Sequence, residues 1–327
     1  MTGRPEPVVR VVLDPERAAG SLVADVRRGL GSAPRTLPPK WLYDDRGSEL
    51  FDQITRLPEY YPTEAERRLL VEHAAAIARV SGATTVVELG SGTSDKTRTL
   101  LDAFTAAGSL RRFVPVDVSE ATLRSAALML AQRYPELAVE PLVGDFTLHL
   151  GHLPTGDRKL VAFLGGTIGN FYVEERAAFL GALADSLDPG DALLLGTDVV
   201  KDADRLVAAY HDSAGVTAEF ILNSLTVLNR ELGADFDLDA FVYVPFWDPA
   251  MERIDMRLRA ETPQRVTLPG ADLVVDIAAG EEIRVEISTK FRPENLRDEL
   301  AAAGFSADPA HQWTDGDFAL TLAHRLP

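Results

Sequence analysis

Two glycines, two acids and one aromatic ring carry the chemistry first visible in this chain of 327 residues: Gly90 and Gly92 in VELGSGTSDKT, Asp117 in RRFVPVDVSEATL, and Asp145 with Phe146 in VGDFT. Glycines at 90 and 92 let a backbone turn sharply and come close to a ligand, because a side chain there would collide with it. The loop amides and the N-terminus of a following helix are expected to face something polar. Asp117 stands where a strand should end, placed to accept hydrogen bonds from ribose hydroxyls; it would serve equally as the N-cap of a helix starting at 120. Asp145 offers a carboxylate to an amino group and Phe146 a ring to a flat base, although alone the pair would be an ordinary turn. Behind a Glu-x-Gly-x-Gly loop, the set points to a nucleoside-bearing cofactor.

Such residues need a scaffold that delivers them to one edge. Strands are expected at 86–89, 113–116, 139–143, 160–164 and 192–196, with helices near 95–107, 119–134 and 173–187. Strand and helix alternate through short connections, the pattern of a doubly wound parallel sheet. Ligands of such sheets lie beyond the carboxyl ends of the strands, so the residues just past each strand matter most: Gly90, Asp117, Asp145, Gly165 and Asp198. Before the sheet, 1–35 reads as a polar leading segment with one helix over 15–30. Helices follow at 47–54 and 63–81, the second opened by Thr63 as N-cap with Glu66 in the capping-box position. Between 200 and 289 lies far more chain than a strand-to-helix connection needs. It carries helices at 203–210 and 217–232 and strands at 241–245, 253–260, 264–268, 273–277 and 282–288. With residues 1–63 it is expected to form an α+β cap that encloses a small substrate.

Composition narrows the partners. Fifty acidic against 33 basic residues leave a formal charge of -17, which repels phosphate backbones and anionic lipid surfaces. No nucleic acid and no membrane are expected as partners. With no cysteine there can be no disulfide, thiolate zinc site or cysteine nucleophile, which suits a reducing cytoplasm. MTGRPEPVVRVVLDPER has no apolar core of a signal peptide, and a soluble, cytoplasmic monomer is expected. His149 and His152 flank Gly151 in what reads as a loop near Asp145; they are taken as surface histidines, with no metal expected.

Two features select the nucleoside. Gly90-Ser-Gly92-Thr-Ser94 lacks the third glycine of the dinucleotide fingerprint, and with it the close helix packing around a pyrophosphate. S-adenosylmethionine has no pyrophosphate. The chain also ends in a helix over 293–303 and two strands joined by a Thr-Asp-Gly-Asp turn, the terminal antiparallel hairpin of class I methyltransferases. The expected fold is therefore α/β, a Rossmann-like class I methyltransferase sheet with an inserted α+β substrate-binding cap. The donor domain would span 64–199 and 290–327, the substrate domain 1–63 and 200–289.

The segments LPPKWLYDDRGSELFDQITRLPEYYPT, VELGSGTSDKT, FLGGTIGNF, LLGTDVVKD and EEIRVEISTKF together resemble the histidine-specific Nα-methyltransferases of ergothioneine biosynthesis, from about residue 20 to 325. The resemblance implies transfer of three methyl groups from S-adenosylmethionine to the α-amine of L-histidine, giving hercynine. It implies donor contacts at Gly90, Lys96, Asp117, Asp145 and Phe146. It implies histidine contacts at Tyr60, Asn170, Tyr210, Glu286 and Ser288, with Tyr43 and Met256 lining the same pocket.

The chemistry suits these residue types. An α-amine titrates near 8 in peptides and attacks only when neutral, at a cost of about 1.4 kcal/mol per pKa unit above ambient pH. Burial near a sulfonium lowers that pKa, so no strong base is required and water or a tyrosine hydroxyl can take the proton. In-line positioning supplies most of the rate. Asn170 could hold the carboxylate and amine edge of the substrate, or could cap the helix that follows. Tyr43 or Tyr60 could attract the quaternary ammonium product through a ring face, by ~0.5–2 kcal/mol. Three other readings share parts of this pattern. They are a methyltransferase acting on another amine or amino acid, a nicotinamide oxidoreductase, and a non-catalytic donor sensor.

Overall fold

A computed structural model of the chain describes residues 7–327, without the side chains of 15–19. Of the leading segment expected over 1–35, residues 1–6 thus lie outside the described ones. The chain divides into two compact units. One comprises Glu64–Val199, Phe291–Pro327 and the described residues up to Leu13; the other comprises Asp14–Thr63 and Val200–Lys290. Among the described residues no helix is long and apolar enough to cross a membrane.

The first unit is built on one sheet in the order Arg10–Val11, Leu142–Val143, Arg112–Asp117, Thr85–Leu89, Lys159–Phe163, Ala192–Asp198, Phe318–Arg325, Phe305–Thr314. The first six run parallel, and the last two form the expected antiparallel hairpin. Thr85–Leu89, Lys159–Phe163 and Ala192–Asp198 are buried throughout, which is why their centres read as apolar runs rather than alternating ones, with polar residues such as Glu88, Lys159 and Asp198 at or near their ends. Strand order reverses between Thr85–Leu89 and Lys159–Phe163, and that switch point opens the crevice where such sheets bind ligands.

Three local expectations fail for identifiable reasons. The strand expected over 139–143 is two pieces, Ala138–Val139 and Leu142–Val143, because Pro141 has no N–H for the ladder. Arg10–Val11, expected to be part of a polar lead-in, adds a parallel strand beside Leu142–Val143. Thr63 is not an N-cap: the helix runs Pro62–Ser81, with Pro62 in its first turn where a missing N–H does no harm. Glu66 then turns inward and is fully buried.

In the second unit a four-stranded sheet runs Arg35–Thr36, Glu282–Thr289, Arg253–Ala260, Phe241–Asp248. The short Arg35–Thr36 strand was not expected either; it joins Glu282–Thr289 in parallel at Ile283 and Arg284. Helix Val216–Leu232 carries Phe220, Ile221, Leu225 and Leu228 at helical spacing into one core with Ile254, Met256 and Leu258 of the sheet. Asp44 starts the neighbouring helix Asp45–Ile54 by accepting the Gly47 N–H at 2.8 Å.

Candidate functional site

In the first unit, the strand Thr85–Leu89 runs into a loop where Gly90 (φ +67°) and Gly92 (φ +49°) take left-handed conformations. A Cβ on Gly90 would only touch the Phe146 ring, at 3.5 Å, so it is the left-handed backbone that favours glycine there. Three of the loop amides expected to face a polar ligand are taken up by the protein itself. Gly90 N–H and Ser91 N–H both donate to the Val116 carbonyl, at 2.8 and 3.1 Å, and Gly92 N–H donates to Asp117 Oδ2 at 2.9 Å. The neighbouring strand end holds the turn instead.

Asp117 is therefore doubly used, since its Oδ1 also accepts the Ser119 N–H at 3.0 Å. The cap of helix Glu120–Arg133 is Ser119, not Asp117. A carboxylate has about four lone-pair sites, so two amides leave room for a pair of ribose hydroxyls. Asp145 Oδ1 accepts from the Thr147 amide at 2.8 Å and hydroxyl at 2.5 Å, which fixes the turn after Leu142–Val143. Phe146 meets Phe163 edge-on, with centroids 5.2 Å apart. Asn170 closes the short 3-10 turn Thr167–Asn170 after strand Lys159–Phe163; the helix Val173–Asp185 is capped at Tyr172, whose N–H donates to Glu175 at 3.1 Å, so Asn170 is not its cap. His149 Nδ1 lies 3.0 Å from the Asp145 amide nitrogen, a contact within its own turn.

Beneath the loop lie buried polar side chains. Glu88 is buried at the end of its strand; Thr97 Oγ1 donates to Oε1 and the Ser94 hydroxyl also stabilises the charged carboxylate, while the buried Ser91 hydroxyl has no partner among the described residues. Burial pushes the Glu88 carboxyl up to about 8, against the Thr97 bond that opposes it. A buried hydroxyl without a partner beside a left-handed turn is a group that a polar ligand could satisfy. The residues present thus fit a nucleoside with an amino-acid tail. Lys96 reaches from the loop to the turn after Lys159–Phe163, its Nζ pairing with Glu66 and lying 3.5 Å from where a Cβ on Gly165 would stand.

In the second unit, a polar group sits on an otherwise apolar sheet face. Tyr210, just after helix Ala203–Ala209, places its Oη 2.8 Å from Ser288 Oγ. Lys290 Nζ donates to both, at 2.7 and 2.8 Å. Tyr60 packs edge-on against Tyr210, with centroids 5.9 Å apart, and Tyr243 Oη donates to the Tyr210 carbonyl at 2.9 Å. Met256 pairs directly with Glu286 across the strands, and Ile254 with Ser288, so Glu286 and Ser288 share one face. Burial raises the Glu286 carboxyl to about 8, with Lys290 pulling the other way. Tyr43 lies edge-on to Phe51 and Phe220, at 5.5 and 5.4 Å.

Sequence reasoning missed two members of these clusters. Lys290 lies two residues beyond Ser288, as Ser288 lies beyond Glu286, and that spacing was its signal. Glu66 was assigned to a cap, and nothing local marked it otherwise.

Comparison with known proteins adds to this geometry. Residues 22–325 match the family model described as histidine-specific methyltransferase, SAM-dependent. A histidine N-alpha-methyltransferase of Mycolicibacterium smegmatis is 57% identical over 95% of this chain and 97% of its own length. Another so named, from Mycobacterium tuberculosis, is 55% identical over 93% of this chain and 94% of its own. Ergothioneine biosynthesis protein 1 of Neurospora crassa is 31% identical over 87% of this chain, which matches 32% of that longer protein.

Proposed function

This chain belongs to the histidine-specific, S-adenosylmethionine-dependent methyltransferases, and we propose that it trimethylates the α-amine of L-histidine to hercynine, the first step of ergothioneine biosynthesis. The mycobacterial relatives' names support the substrate, and the fungal relative's name supports the pathway. The observation that carries the reading is the buried set of Glu286, Ser288 and Tyr210 on an apolar sheet face. A carboxyl and a hydroxyl on one face match the donor and acceptor nitrogens of a neutral imidazole.

Donor binding falls to the first unit. Asp117 would accept ribose hydroxyls, Asp145 and Phe146 would take the base, and Lys96 would meet the carboxylate of the amino-acid tail. When bound, S-adenosylmethionine supplies an electrophilic methyl group. For histidine, the family resemblance supports Tyr60, Tyr210, Met256, Glu286, Ser288 and Tyr43 in the second unit, and Asn170 in the first as an amide for the amine edge. These residues hold the amine neutral and in line, and the released proton passes to water or a tyrosine hydroxyl. An aromatic face such as that of Tyr60 attracts the growing quaternary ammonium. The acidic, cysteine-free composition supports a cytoplasmic monomer.

The test is incubation with S-adenosylmethionine and a pool of the twenty amino acids, followed by mass spectrometry. Mass gains of one to three methyl groups on histidine alone are expected. Methylation of a different amino acid in preference to histidine refutes the assignment.

A further inference from the structure

Glu66 ties together the ends of two strands of the donor unit through one carboxylate and lies against a third. It lies on the first turns of helix Pro62–Ser81 and is closed to solvent, with 0% exposure. Its Oε2 accepts from Lys96 Nζ, in the loop after Thr85–Leu89. Its Oε1 accepts the Gly165 N–H at 2.8 Å, in the turn after Lys159–Phe163. The same Oε1 lies 2.1 Å from where a Cβ on Gly196 would stand, so only glycine at that point of strand Ala192–Asp198 admits it.

A buried ion pair is a poor source of stability, because desolvating both charges offsets most of their attraction. Its use here is positional. Lys96 has a long, flexible stem, and left to itself its ammonium would sample many rotamers. We propose that Glu66 is a positioning residue for methyl-donor binding: it fixes the Lys96 ammonium and the Gly165 amide at the strand ends so that they receive the carboxylate end of the donor's amino-acid tail. Glu66 itself is sealed from the ligand and acts through Lys96. The inference rests on the reading of Lys96 as a donor contact.

The experiment compares two ligands by calorimetry on the full chain. S-adenosylhomocysteine carries the amino-acid tail, whereas 5′-methylthioadenosine keeps the nucleoside and thioether without it. Glu66→Gln keeps an acceptor for Gly165 but removes the charge that holds Lys96; it is expected to weaken S-adenosylhomocysteine about tenfold or more. It should leave 5′-methylthioadenosine within about twofold. Gly196→Ala alters no polar group yet must push the carboxylate aside and press on the Phe318 ring, 3.1 Å from the new Cβ, and is expected to give the same selective loss. Equal weakening of both ligands in Glu66→Gln would mean a merely structural role, and no weakening of either would mean none; each overturns the proposal. Lys96→Met separates the underlying reading. If it loses the tail-bearing ligand selectively while Glu66→Gln does not, Glu66 alone is misassigned. If Lys96→Met binds both ligands as wild type does, the assignment of Lys96 falls and the Glu66 proposal with it.

Discussion

Met256 and Glu286 are direct partners across two antiparallel strands, and the register slips immediately beside them, where Arg257 pairs with Arg284 and Val285 is the extra residue. That bulge resets the alternation, so Glu286 shares the buried face with Ile283 rather than the opposite one with Arg284. Glu286→Ala should lower kcat/KM for histidine by about a hundredfold or more while changing S-adenosylmethionine affinity little. It should also narrow the preference over phenylalanine and tryptophan. Steady-state kinetics with the three amino acids decides, and wild-type selectivity in the variant places the imidazole contacts elsewhere.

Lys290 holds Tyr210 and Ser288 in one hydrogen-bonded triangle. Lys290→Met keeps most of the stem volume and removes the ammonium. The expected outcome is a rise of about tenfold or more in KM for histidine, with donor affinity by calorimetry unchanged. A fall in kcat with KM intact would show that the triangle serves the reaction and not binding.

Asp117 holds Gly92 and Ser119 by their amides. Hydrogen bonds to a charged group contribute about 1.5–3 kcal/mol each. Asp117→Ala should therefore raise the Kd for S-adenosylmethionine at least about tenfold, through a slackened loop and lost ribose contacts, in a chain that still folds. Unaltered affinity together with an unaltered circular dichroism spectrum would remove Asp117 from the site.

If the proposed donor loop and histidine contacts are right, the later methyl transfers use the same centre as the first. Mono- and dimethylhistidine should both be substrates, and their turnover should fall in parallel with that of histidine in Glu286→Ala. Inert dimethylhistidine, supplied with fresh donor, would contradict trimethylation by one site.

The Glu88 carboxyl is raised by burial to about 8, well above its ordinary value near 4.5. Between those two pH values the folded protein keeps a proton that the unfolded chain has lost, so stability falls as pH rises. The slope is at most about 1.4 kcal/mol per pH unit for one such group, and Glu286 adds a second of the same sign. Thermal unfolding between pH 5 and 8 should show Tm declining with pH in the wild type and declining less in Glu88→Gln. Identical slopes would mean that Glu88 is not buried in its neutral form.

Local chemistry made much of this protein legible in its sequence. The apolar run 160–163 marks its strand because both faces of a parallel sheet are covered, and glycines 90 and 92 mark the loop because glycine takes left-handed turns cheaply. The terminal hairpin was visible because the Thr-Asp-Gly-Asp turn at 314–317 separates two short strands. These signals depend on residues a few positions apart. What depended on residues far apart was decided by tertiary packing. Glu66 satisfies every local rule for a capping box, yet its carboxylate pairs with Lys96 and the Gly165 amide, 30 and 99 positions away, because the helix begins at Pro62 and points it inward. The Gly90 and Ser91 amides are held by the Val116 carbonyl, which no pattern around the glycines announces. The face taken by Glu286 turns on one extra residue at Val285, since in a strand a shift of one position moves every following side chain to the other side.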